Sequence, residues 1–526
     1  MRLLLPLLLL TGPALGRADR PNILFVFTDD HAPHAIGAYG GWLESIDITP
    51  NLDRLAGEGM LFRKSFCTNS ICGPSRAVIL TGKHSHRNGF MNNGNRFDGD
   101  QQTFPKLLQA AGYRTAVIGK WHLKSDPQGF DYWDVLPGQG DYYNPVMISA
   151  EGKRQVEGYC TDIVTDLAIE WMEANASDDQ PFLLMCQHKA PHRTWMPPPR
   201  HLDLYDDIDL PEAPTLFHDS AQRAAPARFQ ELTIDRHMNL VYDLFLEPYE
   251  GWDPKAGFAN DGSGFRNLEK MTPAQRSAWD AAFRDENAAF HAAGLTGDAL
   301  VRWKYQRYLK NYLRCIRGVD DSVGRLLEHL DGAGLADNTV VVYSSDQGFY
   351  LGDHGWYDKR WMYEPSLRMP LIVRWPGVTA PGSEHESMVQ NLDYAETFLE
   401  LAGAPVPGDM QGRSLVPLLR GESPDDWRTD IYYHYYEFPS IHRVARHYGI
   451  RGERYKLIHY YQFDEWELFD LLEDPDERRN VIDDPDYAGV VERMRERLEI
   501  LRVAYGDDSD VSVKPAEWQA PFRAGR

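Results

Sequence analysis

The chain of 526 residues holds only five cysteines, at positions 67, 72, 160, 186 and 315. A count this low and odd excludes a disulfide scaffold, and the spacing matches no zinc motif. If two pairs formed, one cysteine would remain, which suits Cys72 standing apart; Cys67, Cys186 and Cys315 read as small buried hydrophobes. Basic charge is also scarce. Lys and Arg number 55 against 78 Asp and Glu, a net charge of −23. That excludes a nucleic-acid partner and a general polyanion-binding surface, so any positive charge that meets an anionic ligand must be local to a pocket. Beyond the N-terminus no uncharged run is long enough to cross a bilayer, and there is neither an internal repeat nor a low-complexity tract.

The N-terminus carries an export signal. Arg2 supplies the positive start, Leu3 to Leu10 an apolar stretch too short to span a membrane, and Ala14-Leu15-Gly16 a small-x-small cleavage site. A signal peptide over residues 1–16 is expected, with a mature chain starting near Arg17 in the periplasm or outside the cell.

At 43% hydrophobic and 25% charged, the chain can bury a large core in more than one domain. Short runs rich in branched and aromatic residues predict buried strands near 22–28, 114–118, 181–187, 339–345 and 370–373. Helices are predicted between them, over 50–58, 103–111 and 161–173. A long helix over about 298–330 is expected to bridge the last strand pair. The alternation defines an α/β fold with a large, mostly parallel central sheet flanked by helices. Between about 205 and 295 the periodicity fails. An insertion is expected there, with a helix over 273–293, lying over one end of the sheet; a pocket-shaping role and a surface ornament weigh equally. After about residue 425 the texture changes. Strands near 431–436, 455–461 and 466–471 and a helix over 487–505, striped by Val491, Met494, Leu498 and Leu501, predict a small C-terminal α+β domain over 426–526. Residues 17–425 then form the main domain.

Chemistry collects at strand ends. The first strand ends in Asp29-Asp30, the second in Gly119-Lys120-Trp121-His122, the third in His188-Lys189-Ala190-Pro191-His192, and the fourth in Asp346-Gln347-Gly348. Ligands of open α/β sheets bind beyond the carboxyl ends of strands. Singly, each group is a common turn or packing feature; their joint placement is the signal. Asp29, Asp30, Asp346 and Gln347 are all oxygen donors, which suits a hard cation, Ca²⁺ before Mg²⁺. In Cys72-Gly73-Pro74-Ser75-Arg76, the proline fits the first turn of a helix, so Cys72 falls at a helix N-terminus that favours an anion. Arg76 adds a positive fork there. Lys120, His122, His192 and Lys359 supply further donors for a tetrahedral oxyanion, although Lys359 alone reads as a solvated loop lysine.

In order along the chain, Asp29-Asp30, the run from Cys72 to Gly82, Gly119-Lys120-Trp121-His122, Pro191-His192, Ser345-Asp346-Gln347-Gly348 and Lys359 resemble the type I sulfatases of the alkaline phosphatase superfamily. The resemblance spans about residues 20–505 and implies an alkaline-phosphatase-like fold. It implies that Cys72 is converted by a formylglycine-generating maturation enzyme to Cα-formylglycine, whose hydrate attacks sulfur. It implies one divalent ion held by Asp29, Asp30, Asp346, Gln347 and the oxygen of residue 72. Arg76, Lys120 and Lys359 would offset sulfate charge, His192 would serve the leaving alcohol, and His122 would take a proton so that sulfate is expelled. Gln347 departs from members with Asn or His there. Stretches around 119–123, 189–193 and 359–364 are similar to secreted bacterial glycan sulfatases of the N-acetylglucosamine-6-sulfatase-like and mucin-desulfating kinds, which implies a sulfated carbohydrate substrate. Tyr432 to Tyr436, with His442, Arg443, Arg446 and His447, read either as a sugar subsite or as core. Two other readings stand beside this one: a formylglycine-dependent phosphodiester or phosphonate monoester hydrolase, and a non-catalytic glycan-binding protein.

Overall fold

The structure, a computed structural model, describes residues 20–176, 180–247 and 267–514. The expected signal peptide and residues 248–266 of the expected insertion lie outside the described residues.

The main sheet has ten strands: β1 (Asn22–Thr28), β2 (Met60–Phe62), β3 (Arg114–Lys120), β4 (Tyr132–Leu136), β5 (Val146–Ser149), β6 (Gly152–Gln155), β7 (Phe182–Gln187), β8 (Thr339–Ser345), β9 (Leu371–Arg374) and β10 (Ser383–His385). Their spatial order is β10-β2-β9-β8-β1-β7-β3-β4-β5-β6. The five central strands, β8 to β4, are parallel, with Ile23 opposite both Leu183 and Val340. Toward one edge β9 runs antiparallel to both β8 and β2, with β10 parallel to β2; at the other, β5 and β6 pair antiparallel.

Helices cover both faces: α1 (Pro50–Glu58), α2 (Cys72–Thr81), α3 (Phe104–Ala110), α4 (Cys160–Asn175), α5 (Pro273–Ala293), α6 (Gly297–Gly332) and α7 (Asp393–Leu401). Alternate residues of β1 divide between the faces. Ile23, Phe25 and Phe27 join the core built with α2, α3 and α7. Leu24 and Val26 join the one built with α1, α4 and α6. A strand buried on both faces has no polar side, so its sequence is a continuous apolar run.

One expectation is corrected by topology. The long helix α6 does not bridge the last strand pair. It leads into β8 after the excursion that follows β7, and β7 and β8 flank β1. The pair β8–β9 is antiparallel and needs no helical crossover.

Helix α5 starts where its sequence says. Thr272 and Gln275 form a reciprocal capping box ahead of a proline in the first turn. The described part of the insertion is stitched to the segment beyond β8. Thr233 bridges to Trp356, Ile234 N donates to Gly355 O at 2.9 Å and Tyr357 N to Leu232 O at 3.0 Å.

A separate antiparallel sheet follows: β11 (Asp430–Tyr435), β12 (His447–Gly452), β13 (Tyr455–Tyr460) and β14 (Glu465–Asp470), backed by α8 (Ala488–Tyr505). Ile431, Tyr433 and Tyr435 pack toward the main domain, whereas Tyr432 packs with Leu498 and Leu501 of α8. All three tyrosines are 0% exposed, as the core reading of this run expects. All five cysteines are buried and unpaired, so the two pairs considered above do not form. Among the described residues no helix is long and apolar enough to cross a membrane.

Candidate active site

β1 and β8 are adjacent and in register, Thr28 opposite Ser345, so the residues just past their ends meet. Asp29, Asp30 and Asp346 are fully buried, and one oxygen of each lies within 4.8 Å of the others. Asp30 takes a left-handed backbone, φ 72°, and its N–H donates to Asp346 Oδ1 at 3.1 Å. Three buried carboxylates this close repel one another unless a cation shares them. Burial, with Asp346 and Asp358 adding and Lys359 opposing, pushes the Asp30 carboxyl up to about 7. Gln347 Nε2 donates to Asp30 Oδ1 at 2.5 Å, which leaves buried Gln347 Oε1 without a partner. Neither Asp29 oxygen accepts a hydrogen bond, although the Lys120 ammonium is ion-paired with that carboxylate. Converging oxygens with spare lone pairs fit a hard cation.

Cys72 is the first residue of α2, after Ile71 at the cap, and is 1% exposed. Burial pushes its thiol up to about 12, against the pull of Lys359. Gly73 N–H donates to Asn93 Oδ1 at 3.1 Å, and a Cβ at residue 73 would meet the Phe90 ring at 2.6 Å.

Arg76, expected to face an oxyanion, is turned onto the protein. Nε and Nη2 donate to Asp346 Oδ2 at 3.2 and 3.1 Å, and Nη1 donates to Lys120 O and Gln187 Oε1, both at 2.8 Å. It braces a carboxylate and ties α2 to β3 and β7.

Lys120 ends β3 with its ammonium on Asp29 and Gln139 Oε1. Gly119 before it has φ 103°, and a Cβ there would stand 1.9 Å from Gln187 O. Burial, then the nearby Lys189 ammonium, holds Lys120 well below the usual lysine range. His122 is held neutral by burial and then by Lys120 and Arg76; its Nδ1 has no partner. His192 Nδ1 donates to Arg193 O at 2.5 Å, which leaves Nε2 facing inward, 3.9 Å from Asp30 Oδ2. Burial, then Lys120 and Lys359, lowers its pKa well below the usual value. One ligand atom each from Asp29, Cys72 and His192 also lies within 4.8 Å of the others, a thiol and imidazole grouping that sequence spacing did not show.

Lys359 is 2% exposed and donates to Asp30 Oδ2 at 2.6 Å, so the solvated-loop reading is wrong. Burial alone would lower its ammonium, but Asp30 and then Cys72 and Asp358 hold it above the usual lysine range. Its neighbours Asp358 and Arg360 have φ 74° and 94°. Arg360 is buried, with Nε and Nη1 making no hydrogen bond. Sequence reasoning gave Lys189 and Arg360 no role beyond the stretches that contain them, and it passed over Gln139. The first two adjoin residues or motifs it chose, and only their burial singles them out.

A buried carboxylate cluster that could hold a cation, a helix start at residue 72 and buried ammonium groups beside it fit a centre for opening the ester of a tetrahedral anion. The chain belongs to the sulfatase family: the pattern for Sulfatase matches residues 21–404, and that for the C-terminal part of N-sulphoglucosamine sulphohydrolase matches residues 352–504. It is a sulfuric ester hydrolase. It is 46% identical over 519 residues to an N-acetylglucosamine-6-O-sulfatase of Bacteroides thetaiotaomicron, covering 96% of this chain and 91% of that one. A human N-acetylglucosamine-6-sulfatase is 28% identical over 466 residues, covering 82% of this chain and 71% of that one. A solved structure of a protein in complex with its substrate, D-glucosamine-2-N,6-O-disulfate, matches with a TM-score of 0.88 at 45% identity, over 94% of this chain and 99% of that one.

Proposed function

We propose that this enzyme removes the 6-O-sulfate from sulfated glucosamine units, with residue 72 matured to Cα-formylglycine and one Ca²⁺ at the carboxylates. The observation that carries the reading is the meeting of the buried start of α2 with three carboxylates and two buried ammonium groups at one point. The near-full-length likeness to a glucosamine 6-O-sulfatase supports the sugar.

Asp29, Asp30, Asp346 and Gln347 would hold the ion, which when bound neutralises their mutual repulsion and polarises the sulfate. The hydrated aldehyde of residue 72 would supply the attacking oxygen in place of the thiol. Arg76 keeps Asp346 aimed. Lys359 places positive charge where the sulfate oxygens gather charge, and an anionic ester favours a proton on Lys120 beside it. His192 presents Nε2 to the leaving sugar oxygen, and an anionic ester beside it favours a proton there. Neutral His122 is the acceptor for the remaining hydroxyl proton of residue 72. Arg360, buried with unbonded N–H groups, is suited to polar groups of the sugar. The reacting groups are almost wholly buried, so the ester enters end-on, from a free saccharide or a chain terminus. The leader over residues 1–16 would carry the chain out of the cytoplasm.

The test is sulfate release from a panel of defined saccharides. The 6-O-sulfates of N-acetylglucosamine and of N-sulfated glucosamine should be cleaved, with the N-sulfate retained. Faster cleavage of 3-O- or 4-O-sulfates, or of aryl phosphate diesters, would contradict the reading.

A further inference from the structure

We propose that Arg193, gripped by Asp243 of the insertion, is a positioning residue that sets His192 and Lys359 relative to each other. The inference rests on the reading of His192 as the group that serves the leaving oxygen.

His192 Nδ1 donates to the carbonyl of Arg193 itself, so the ring orientation follows the Arg193 backbone. The Arg193 side chain is anchored on every side. Nε and Nη2 donate to the two oxygens of Asp243 at 2.5 and 3.0 Å, and Nη1 to His442 Nε2 at 2.9 Å. The guanidinium lies between the Tyr242 and Tyr357 rings, 5.1 and 5.2 Å from their centroids. His442 Nδ1 donates to Glu231 O at 2.8 Å, which leaves Nε2 as the acceptor for arginine. With its lone pair on arginine, Nε2 has no proton for Asp358 Oδ2 3.3 Å away; Asp358 Oδ1 accepts the N–H of Lys359 at 2.8 Å. Arg193 therefore holds His192 through its own carbonyl, and it holds the Lys359 segment through the Tyr357 ring, two residues before Lys359.

Asp358, Arg360, His442 and Arg443 all have left-handed backbones, with φ of 74°, 94°, 67° and 47°. Non-glycine residues hold such conformations only where the surroundings over-determine them. The Arg193–Asp243 fork is one of the buried contacts among these segments: it ties the loop beyond β7 to the insertion and, through His442, to the segment leading into β12. Both partners are buried, and removing either leaves an uncompensated charge.

The experiment uses full-length, matured enzyme with residue 72 conversion matched by mass spectrometry. Arg193→Gln, Asp243→Asn, the double variant and His192→Gln are assayed on the best substrate of the panel. Misplacing a catalytic group by an ångström costs on the order of 100-fold. Each single variant should lower kcat by about that factor with KM within about threefold. The double variant, a neutral pair, should be no slower than the slower single. The proposal is overturned if kcat stays near the parent value, if the loss falls on KM, or if the two losses multiply as for independent sites. If a single variant fails to fold, His442→Gln carries the test: an unchanged kcat overturns the proposal, a loss in kcat at unchanged KM supports it. An active His192→Gln enzyme would fail the reading of His192 itself, whatever Arg193 does.

Discussion

The Lys359 ammonium donates to Asp30 Oδ2 at 2.6 Å across 329 positions of sequence, with both side chains buried. The contact links the carboxylate cluster to the loop beyond β8. Lys359→Ala removes the positive charge beside the sulfate and leaves Asp30 without its strongest partner. Steady-state assays should show kcat lower by about 10²- to 10³-fold. Lys359→Arg should recover only part, because a planar fork cannot replace a point charge.

Chelation should abolish turnover, and Ca²⁺ should restore it. Ligand binding to the folded state stabilises it by about 2.7 kcal/mol at 100 times Kd, so thermal unfolding should shift upward on Ca²⁺ addition. Asp29→Asn and Asp346→Asn should blunt that shift. Activity that survives complete removal of divalent ions would refute the ion's role.

Gly119→Ala places a Cβ 1.9 Å from Gln187 O at a backbone φ of 103°. β3 and β7 must separate or the chain must give up this conformation. The variant should be recovered unfolded or with a strongly lowered Tm in calorimetry, whereas an Ala at solvent-facing Gly332, with open space around it, should change Tm little.

Glu396 in α7 is 3% exposed; one oxygen accepts Gly412 N–H at 2.6 Å and the other has no partner. Burial, with Asp393 adding, pushes this carboxyl up to about 8 from 4.5. A folded pKa above the unfolded one means its stabilising contribution is full below about 4.5 and fades as pH rises through 8. Glu396→Gln keeps the acceptor and removes the titration. Its Tm should fall less than the parent's between pH 5 and 9, by an amount on the order of 3 kcal/mol in stability. Parallel Tm curves would contradict this.

The central strands and the acidic and basic residues at their ends were legible because each buried strand is a continuous apolar run that stops at its polar cargo. α5 was expected over 273–293 and spans those residues; its capping box shows only in the structure. Other features depended on contacts distant in sequence. Lys359 looked solvated because nothing local announces Asp30. The Arg193 network joins residues 50 and 249 positions apart. β12, with two glycines, a histidine and an arginine in six residues, has weak strand propensity; Gly449 is there because a Cβ would stand 2.3 Å from Leu457 O. The tyrosines of β11 read as sugar stackers or as core because a strand clamped between a domain and a helix has no polar face either.

The state of residue 72 in an active preparation bears most directly on the account. Mass spectrometry of the peptide that spans Cys72, on fractions of graded conversion, should show specific sulfatase activity rising in proportion to the aldehyde, with Cys72→Ala inactive. Full activity from protein whose residue 72 is entirely thiol would contradict it.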